Sequence, residues 1–445
     1  HRAVARALED VHAGRLEEVA SRLAVHWEGG GNLEDAIGYY QRAADVALGR
    51  LAYREQLIHL RSALRLLDEL PDSPERQQQR LAVMLRMVDP MMILYGWSPV
   101  DLLPHCLATH KLCLEIGSPR QLYRVTRHLI SYFVMRGQQR ESLGYAEQSV
   151  ELVHQLKGDL LSIEQEDAQS GIAGVRFRLG ELTTAHTHFA KAGSDQPGKG
   201  TFHILVKWLL GFVDQSIQMS AQHRAHANLP PFGRAVTLTN TLYVCYGTGD
   251  EAALRSYHKN LAALAEQYEL AFWQVVVVFF QGWSDVLNGK YRKGCDGMAT
   301  AISEMERVGS GVLTLFLSIL VEGYRMAGEL SEAESALERA FERAHTGDER
   351  FWYAELLRQK GQLLALRRSP AAEVEAGYQS ALEVARQQSA KSLELRAAIS
   401  LARLWQQQGR RAEARELLAG VYDWFTEGFD TADLFDARTL LAELS

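Results

Sequence analysis

The sequence predicts an all-α chain built as a solenoid of antiparallel helix pairs. Two observations carry this expectation: apolar residues recur at helical spacing in segment after segment, and glycine-bearing turns interrupt them at a regular interval. A third bounds it. At 445 residues the chain exceeds the usual single-core domain, so its core spans several domains or extends along a repeat array. The periodicity selects the array.

Residues 15–28 and 33–48 form the first pair, divided by Gly29, Gly30, Gly31 and Asn32. Residues 53–69 and 75–95 form the second, divided by Pro71, Asp72, Ser73 and Pro74. In that turn Asp72 or Ser73 caps the next helix and Pro74 takes its first position. Turn glycines then recur at Gly137, Gly180, Gly249, Gly289, Gly328 and Gly409. Their spacing is about 40 residues, or about twice that where a repeat is blurred, a period that marks a solenoid. In RMAGELSEAESALERAFERA, residues 325–344, Ala333, Leu337, Ala340 and Phe341 share one helix face. Small residues there let helices approach, and the aromatic fills the gap.

The most apolar stretch, AFWQVVVVFFQGW at 271–283, has four valines that suit a strand on local propensity. Its setting makes it a buried helix, shorter than the roughly 20 residues of a membrane span. The pattern falters between Gly193 and Gly233, where Pro197, Gly198, Gly200, Pro230 and Pro231 flank TFHILVKWLLGFVDQSIQM. Loops are expected near 193–200 and 226–234. The chain thus reads as N-terminal helical repeats over 1–192, an irregular repeat or insert over 193–235, and C-terminal repeats with a capping helix over 236–445.

Composition excludes several classes. With 47% hydrophobic and 23% charged residues there is ample surface to bury, so disorder is not expected. The net charge of -7, without a Lys/Arg block, argues against direct nucleic-acid binding. Four cysteines, two of them on one predicted helix, give no disulfide framework, and a reducing cytoplasm fits best. The chain opens at His1 inside a helical pattern, which reads as part of something longer.

Candidate chemistry is sparse. GSDQPGKGT, residues 193–201, approaches a phosphate loop, but Gly200 replaces the required Ser or Thr and a helix precedes it. It reads as a loop. Cys106, His110 and Cys113 lie at i, i+4 and i+7 beside His105. Zinc would need further ligands, and the apolar surroundings favour packed cysteines. His186, His188, His223 and His226 read as surface or turn residues. No catalytic constellation is present, and no cofactor or metal is expected.

FRLGELTTAHTHFAKA, residues 177–192, with Leu179, Gly180, Ala185 and Phe189 in register, resembles the tetratricopeptide repeat, although the period here exceeds the standard roughly 34 residues. That resemblance implies a right-handed superhelix of helix pairs. Residues 379–444, from QSALEVARQQSAKSLELRAAISLARLW to the ending FTEGFDTADLFDARTLLAEL, look like the last repeats of large bacterial signalling proteins. In these, a class III adenylate or guanylate cyclase domain or a DNA-binding domain precedes a STAND-type ATPase and a tetratricopeptide tail. LEEVASRLAVHWEGGGNLEDAIGYYQRAADVAL, residues 16–48, looks like the start of that tail. The resemblance implies a non-catalytic sensor that regulates ATPase and output domains of the same polypeptide through a change in superhelix curvature.

In such a solenoid the first helix of each pair, helix A, lines a concave face. The expected binding residues there are Arg124, Arg127, His128 and Tyr132 in one repeat, Trp273, Gln274 and Gln281 in a second, and Phe351, Trp352, Glu355, Arg358 and Gln359 in a third. Aromatics beside charges suit a protein or peptide partner or a small polar ligand such as an oligosaccharide. On this expectation Trp352 and Arg358 are free of packing duty, and truncating either leaves the fold intact.

Overall fold

The computed structural model describes residues 1–95, 101–158, 161–193, 202–225, 229, 231–309 and 312–445. Among them every regular element is helical. The chain divides into two compact units: His1–Met135 with Gly144–Leu161, and Arg136–Leu143 with Ser162–Ser445.

The first unit carries α1 (Arg2–Val11), a 3-10 turn (Leu16–Val19), α2 (Ala20–Gly29), α3 (Leu33–Gly49), α4 (Tyr53–Glu69), α5 (Pro74–Tyr95), α6 (Leu102–Ile116), α7 (Pro119–Arg136) and α8 (Gln139–Val153), whose first residues belong to the second unit. Sequential helices from α1 to α6 pack on one another, and their short turns make neighbours antiparallel. Ala36, Ala43, Ala44 and Ala47 give α3 a buried small-residue stripe. Beside it Tyr39 and Tyr40 send their hydroxyls outward, to Glu9 at 2.7 Å and Glu28 at 2.6 Å. The expected cap at the head of α5 is present: the Arg76 amide donates to Ser73 Oγ at 3.3 Å, and Pro74 opens the helix.

The second unit continues with α9 (Leu161–Arg178), α10 (Leu182–Lys191), α11 (His203–Leu209), α12 (Val213–Ala225), α13 (Pro231–Thr248), α14 (Glu251–Gln267), α15 (Ala271–Leu287), α16 (Tyr291–Val308), α17 (Leu313–Ala327), α18 (Leu330–Thr346), α19 (Tyr353–Leu366), α20 (Ala371–Gln387), α21 (Lys391–Gln407), α22 (Arg411–Tyr422) and α23 (Ala432–Glu443). From α9 onward the odd-numbered helices up to α21 are the A helices. Each pair reverses through one residue in the left-handed region: Gly180, Gly211, Gly249, Gly289, Gly328 and Gly409 have φ between 72° and 92°. Between α19 and α20 that place falls to Arg368, at φ 58°. The double interval in the glycine ladder is therefore a complete repeat with a non-glycine turn. This stacked-pair arrangement is the tetratricopeptide-like helical-repeat solenoid that the sequence predicts. The valine run lies in α15, with Val276, Phe279 and Phe280 fully buried.

The expected irregular segment holds a further pair, with α11 cut to 7 residues. The loop foreseen near 193–200, including most of GSDQPGKGT, falls on 194–201, outside the described residues; of the loop foreseen at 226–234, residues 226–228 and 230 also lie outside them. Pro231 already begins α13.

The second unit folds back on itself. The carbonyl of Arg178, at the end of α9, accepts the amides of Arg350 at 2.6 Å and Phe351 at 3.2 Å. That of Trp208, in α11, accepts Ser392 Oγ at 2.5 Å. That of Gly247, in α13, accepts an Arg396 guanidinium nitrogen at 2.6 Å. Helix ends leave carbonyls unpaired, and here later repeats meet those of Arg178 and Gly247, while the Trp208 carbonyl takes Ser392 in addition to the Gly211 amide at 3.0 Å. Gly211 fits this seam because a Cβ there would stand 2.5 Å from the Trp424 ring.

Closure fills the space between these walls with aromatic rings. Phe177 meets Phe351 at 4.5 Å and Trp208 stacks on Trp352 at 5.8 Å. Two expected groove residues are therefore core: Phe351 and Trp352 are both fully buried. The indole N–H of Trp352 donates to Ser318 Oγ at 3.0 Å. Gln359 is also buried, its amide nitrogen donating to the Ser318 carbonyl at 2.9 Å and its oxygen accepting from Ser318 Oγ at 2.9 Å.

Two outcomes test this architecture by urea unfolding. Trp352→Ala is expected to destabilise by about 3–5 kcal/mol, the cost of emptying a large core site; unchanged stability would show that the seam is not packed. Arg368→Gly should stabilise by about 0.5–1 kcal/mol, because it removes a side chain from a left-handed position while giving back part of the gain in unfolded-chain entropy.

Candidate functional site

What closure leaves open is a cavity of about 360 Å³ on the A-helix face of the second unit. Helices α13, α15, α17, α19, α21 and α23 each contribute to it. Trp283, Glu322, Gln362 and Arg403 stand at the same position before their respective turn residues, Gly289, Gly328, Arg368 and Gly409, so the repeat itself arranges them in a row. Below them lie Glu355, Arg358, Arg396 and Asp433, with Tyr246, Leu287, Met326 and Ile399 as the apolar part of the wall.

The polar groups form one linked set, Arg358, Glu355, Arg396 and Asp433, and two further ion pairs. Glu355 takes the Arg358 guanidinium in a fork, at 2.6 and 2.8 Å. Arg396 stands 3.6 Å from the same carboxylate, donates to Asp433 at 2.7 Å and lies over the Trp208 ring, 5.3 Å from its centroid. Glu322 forks with Arg325 at 2.6 and 2.8 Å. Arg403 pairs with Asp436 at the rim. Two-point Arg–carboxylate contacts are directional and roughly twice as strong as neutral hydrogen bonds.

Burial and charge act on these groups in opposite senses. Burial raises the Glu355 carboxyl, but the Arg358 charge and hydrogen bonds, with Arg396, more than reverse this and hold it below the ordinary glutamate value. Burial lowers Arg358, and Glu355 more than reverses that, so Arg358 stays cationic. For Asp433 burial wins over Arg396, and its carboxyl lies above the usual aspartate value. Four carboxylates, on Glu322, Glu355, Asp433 and Asp436, face four guanidiniums, on Arg325, Arg358, Arg396 and Arg403. The site carries no net charge to attract a polyanion.

Of the expected binding residues, the structure brings Glu355 and Arg358 into this cavity and leaves the others elsewhere. Phe351, Trp352 and Gln359 face the core behind it, because the closure that fills the interior takes up that side of α19. Trp273 is buried against Phe232 at 4.9 Å, whereas Gln274 and Gln281 are exposed on α15. Arg124, Arg127, His128 and Tyr132 belong to the first unit. There Arg124 and Arg127 are exposed, Tyr132 is buried, and the His128 ring lies 3.4 Å from Asp89. Arg396, Arg403, Glu322 and Asp433 were missed. Counting back from each turn residue, including Arg368, would have found Glu322 and Arg403; closure alone reveals Arg396 and Asp433.

The suspected metal ligands of α6 are committed to packing. Cys106 and Cys113 are buried, and burial pushes their thiols up to about 12 and about 11, away from the thiolate a metal needs. His110 meets Gln148 Oε1 at 3.0 Å and His105 meets the Met84 carbonyl at 2.8 Å. Among the described residues no group of His, Cys, Asp and Glu is placed to hold a metal ion. No helix among them is long and apolar enough to cross a membrane. His186 and His188 are half-buried and not surface residues: His186 meets the buried His203 at 2.7 Å, and His188 meets Gln169 at 2.7 Å. The side chains of His223 and His226 lie outside the described residues.

The chain matches no family model and no curated protein. Among solved structures it is similar to a Rap protein complexed with competence and sporulation factor, at 12% identity and a TM-score of 0.43 over 92% of this chain and 99% of that one. It is also similar to the Cut9–Hcn1 hetero-tetramer of the APC/C, at 13% identity and 0.46 over 98% and 95%, and to yeast Tom70, at 13% and 0.35 over 96% and 95%. Each is a likeness only; the fold follows from the helix pairing above.

The buried network predicts an asymmetric response to charge removal. Glu355→Gln leaves Arg358 and Arg396 without their shared carboxylate and should cost about 3–5 kcal/mol at neutral pH. Glu334→Gln, in an exposed pair with Arg367, should cost little. Because the folded Glu355 pKa is depressed, its contribution is complete above the unfolded value of about 4.3 and is lost as pH falls through the lower folded value. The stability gap between wild type and Glu355→Gln, measured by urea titration, should therefore narrow below that pH. A gap independent of pH would contradict the assignment.

Proposed function

We propose that the chain is a non-catalytic interaction domain and that the cavity of the second unit receives an extended segment of a partner polypeptide. The observation that carries this reading is the convergence of side chains from six helices on one open cavity, whose lining holds both hydrogen-bonding and apolar groups. Such a lining recognises a chain that offers both backbone polarity and side chains. Proton-transfer chemistry is disfavoured there: Glu355 and Arg358 are shifted away from neutrality in opposite directions, and a general acid or base works best near the operating pH.

The resemblance of residues 16–48 and 379–444 to the tails of signalling ATPases supplies the wider setting. In that setting the domain is a cytoplasmic sensor, and partner binding here regulates ATPase and output domains on the same polypeptide. An oligosaccharide needs an exposed ring face on which to stack, and Trp283 is only 6% exposed. Its indole is already engaged by Tyr246, edge to face at 5.4 Å. The peptide reading is therefore preferred.

Ser400, half-buried in the lining, provides the test. Ser400 Oγ lies 3.5 Å from the Arg358 guanidinium; Ser400→Trp fills the cavity there and should abolish binding of peptides selected by the wild-type chain from an arrayed random library, with the helical circular-dichroism signal retained. Peptides that bind both proteins equally would place the recognition surface elsewhere and end this reading.

A further inference from the structure

The charge pairs of the cavity differ in how firmly they are held, and that difference restricts what can enter. The inner groups are less accessible: side-chain exposure is 13% for Arg358, 2% for Glu355 and 13% for Arg396, with Asp433 at 27%. Removing one partner from such a pair strands the other charge in a poorly solvated site, which costs more than the intact pair is worth. Arg396 is fixed further by the Gly247 carbonyl and the Trp208 ring. These groups shape the cavity and are not available for exchange.

The rim pair is different. Arg403 and Asp436 are 51% and 38% exposed, and an exposed pair contributes almost nothing to stability. A ligand can separate them at small cost, provided that both charges find new partners. An acidic ligand would satisfy Arg403 and strand Asp436; a basic ligand would do the reverse. Only a ligand with both signs replaces one ion pair by two. Elsewhere in the same lining, Leu287 and Met326 offer apolar surface, and Gln362 and Ser400 offer hydrogen-bonding groups.

We infer that the cavity selects a peptide segment carrying an acidic and a basic side chain near an apolar one, which inserts between Arg403 and Asp436. This rests on the cavity being a peptide site and adds the chemistry of its occupant. Arg403 and Asp436 are then the specificity-determining residues. A purely acidic or purely basic segment is discriminated against by the charge it leaves uncompensated, the repulsive half of specificity.

Three fluorescently labelled peptides of equal length test the inference, with leucines interspersed among charged residues that are alternately Glu and Lys, all Glu, or all Lys. By anisotropy at low salt, the mixed peptide is expected to bind about tenfold or more tightly than either single-sign peptide. Arg403→Gln should weaken the mixed peptide about fivefold and move preference toward the all-Lys peptide, because Asp436 is then unpaired. The reversed pair, Arg403→Asp with Asp436→Arg, should restore preference for the mixed peptide. Single-sign peptides bound as tightly by the wild type, or an order of preference unchanged by Arg403→Gln, would overturn the inference. Failure of all three peptides, when the random library yields ligands that Ser400→Trp loses, overturns it while leaving the peptide reading intact; a library with no such ligands overturns that reading instead.

Discussion

The carbonyl at the end of α9, on Arg178, accepts two backbone amides from the connection that leads into α19, and much of the second unit follows from this contact. A solenoid ordinarily stabilises each repeat through its sequence neighbours. Here the last-turn carbonyls of α9, α11 and α13 are met by donors at Arg350, Phe351, Ser392 and Arg396. The donors to Arg178 and Gly247 meet carbonyls at helix ends, that to Trp208 adds to the amide of Gly211 at 3.0 Å, and the positive charge of Arg396 also opposes the negative end of the α13 dipole. The donors are of different kinds: Arg350 and Phe351 offer backbone amides from one connection, whereas Ser392 and Arg396 offer side chains from α21.

Because the walls are held at that separation, large rings can fill the space between them. Phe177, Trp208, Tyr243, Phe316, Phe351 and Trp352 belong to one continuous core, although some are far apart in sequence. Buried charge accompanies this closure. The Arg178 guanidinium lies over the Phe202 ring, 4.7 Å from its centroid. Burial pulls its pKa down to about 10, while Glu349 opposes that shift, so it remains charged at neutral pH. Glu349 in turn accepts the Thr314 amide at 2.9 Å and hydroxyl at 2.7 Å at the start of α17. Polar groups drawn into the core are thus matched across repeats, which specifies one register of closure over its neighbours.

The helix pairs were legible because local rules and tertiary packing agree along most of the chain. Ala333, Leu337 and Ala340 are buried on the face of α18 that their spacing predicts, and Gly180, Gly249, Gly289, Gly328 and Gly409 take left-handed turns. Arg368 hid one repeat because nothing local marks an arginine for φ 58°. The groove was harder to read. Helical periodicity says which side of α19 is amphipathic, but not whether the facing space holds solvent or another repeat. Phe351 and Trp352 carry the composition of a binding surface, yet the closing contacts come from residues more than a hundred positions upstream. Glu355 and Arg358 were recoverable because their spacing pairs them within one helix; Arg396 and Asp433 join them only through the fold.

Arg396 links the architecture to the site. One edge of its guanidinium caps α13 at the Gly247 carbonyl, while the rest reaches Glu355 and Asp433 in the cavity. The cavity's shape is consequently fixed by the same residue that holds the seam. A change of curvature on binding would have to release the capped carbonyls at Arg178, Trp208 and Gly247, each hydrogen bond worth about 1 kcal/mol net, and unstack Trp208 from Trp352. Only a ligand with at least that much preference for the open form could drive it. Interactions confined to Arg403 and Asp436, outside the seam, demand no such release. The arrangement therefore separates a rigid inner network, which sets geometry, from an exchangeable rim, which reads charge, and it makes recognition by the closed form the less costly route.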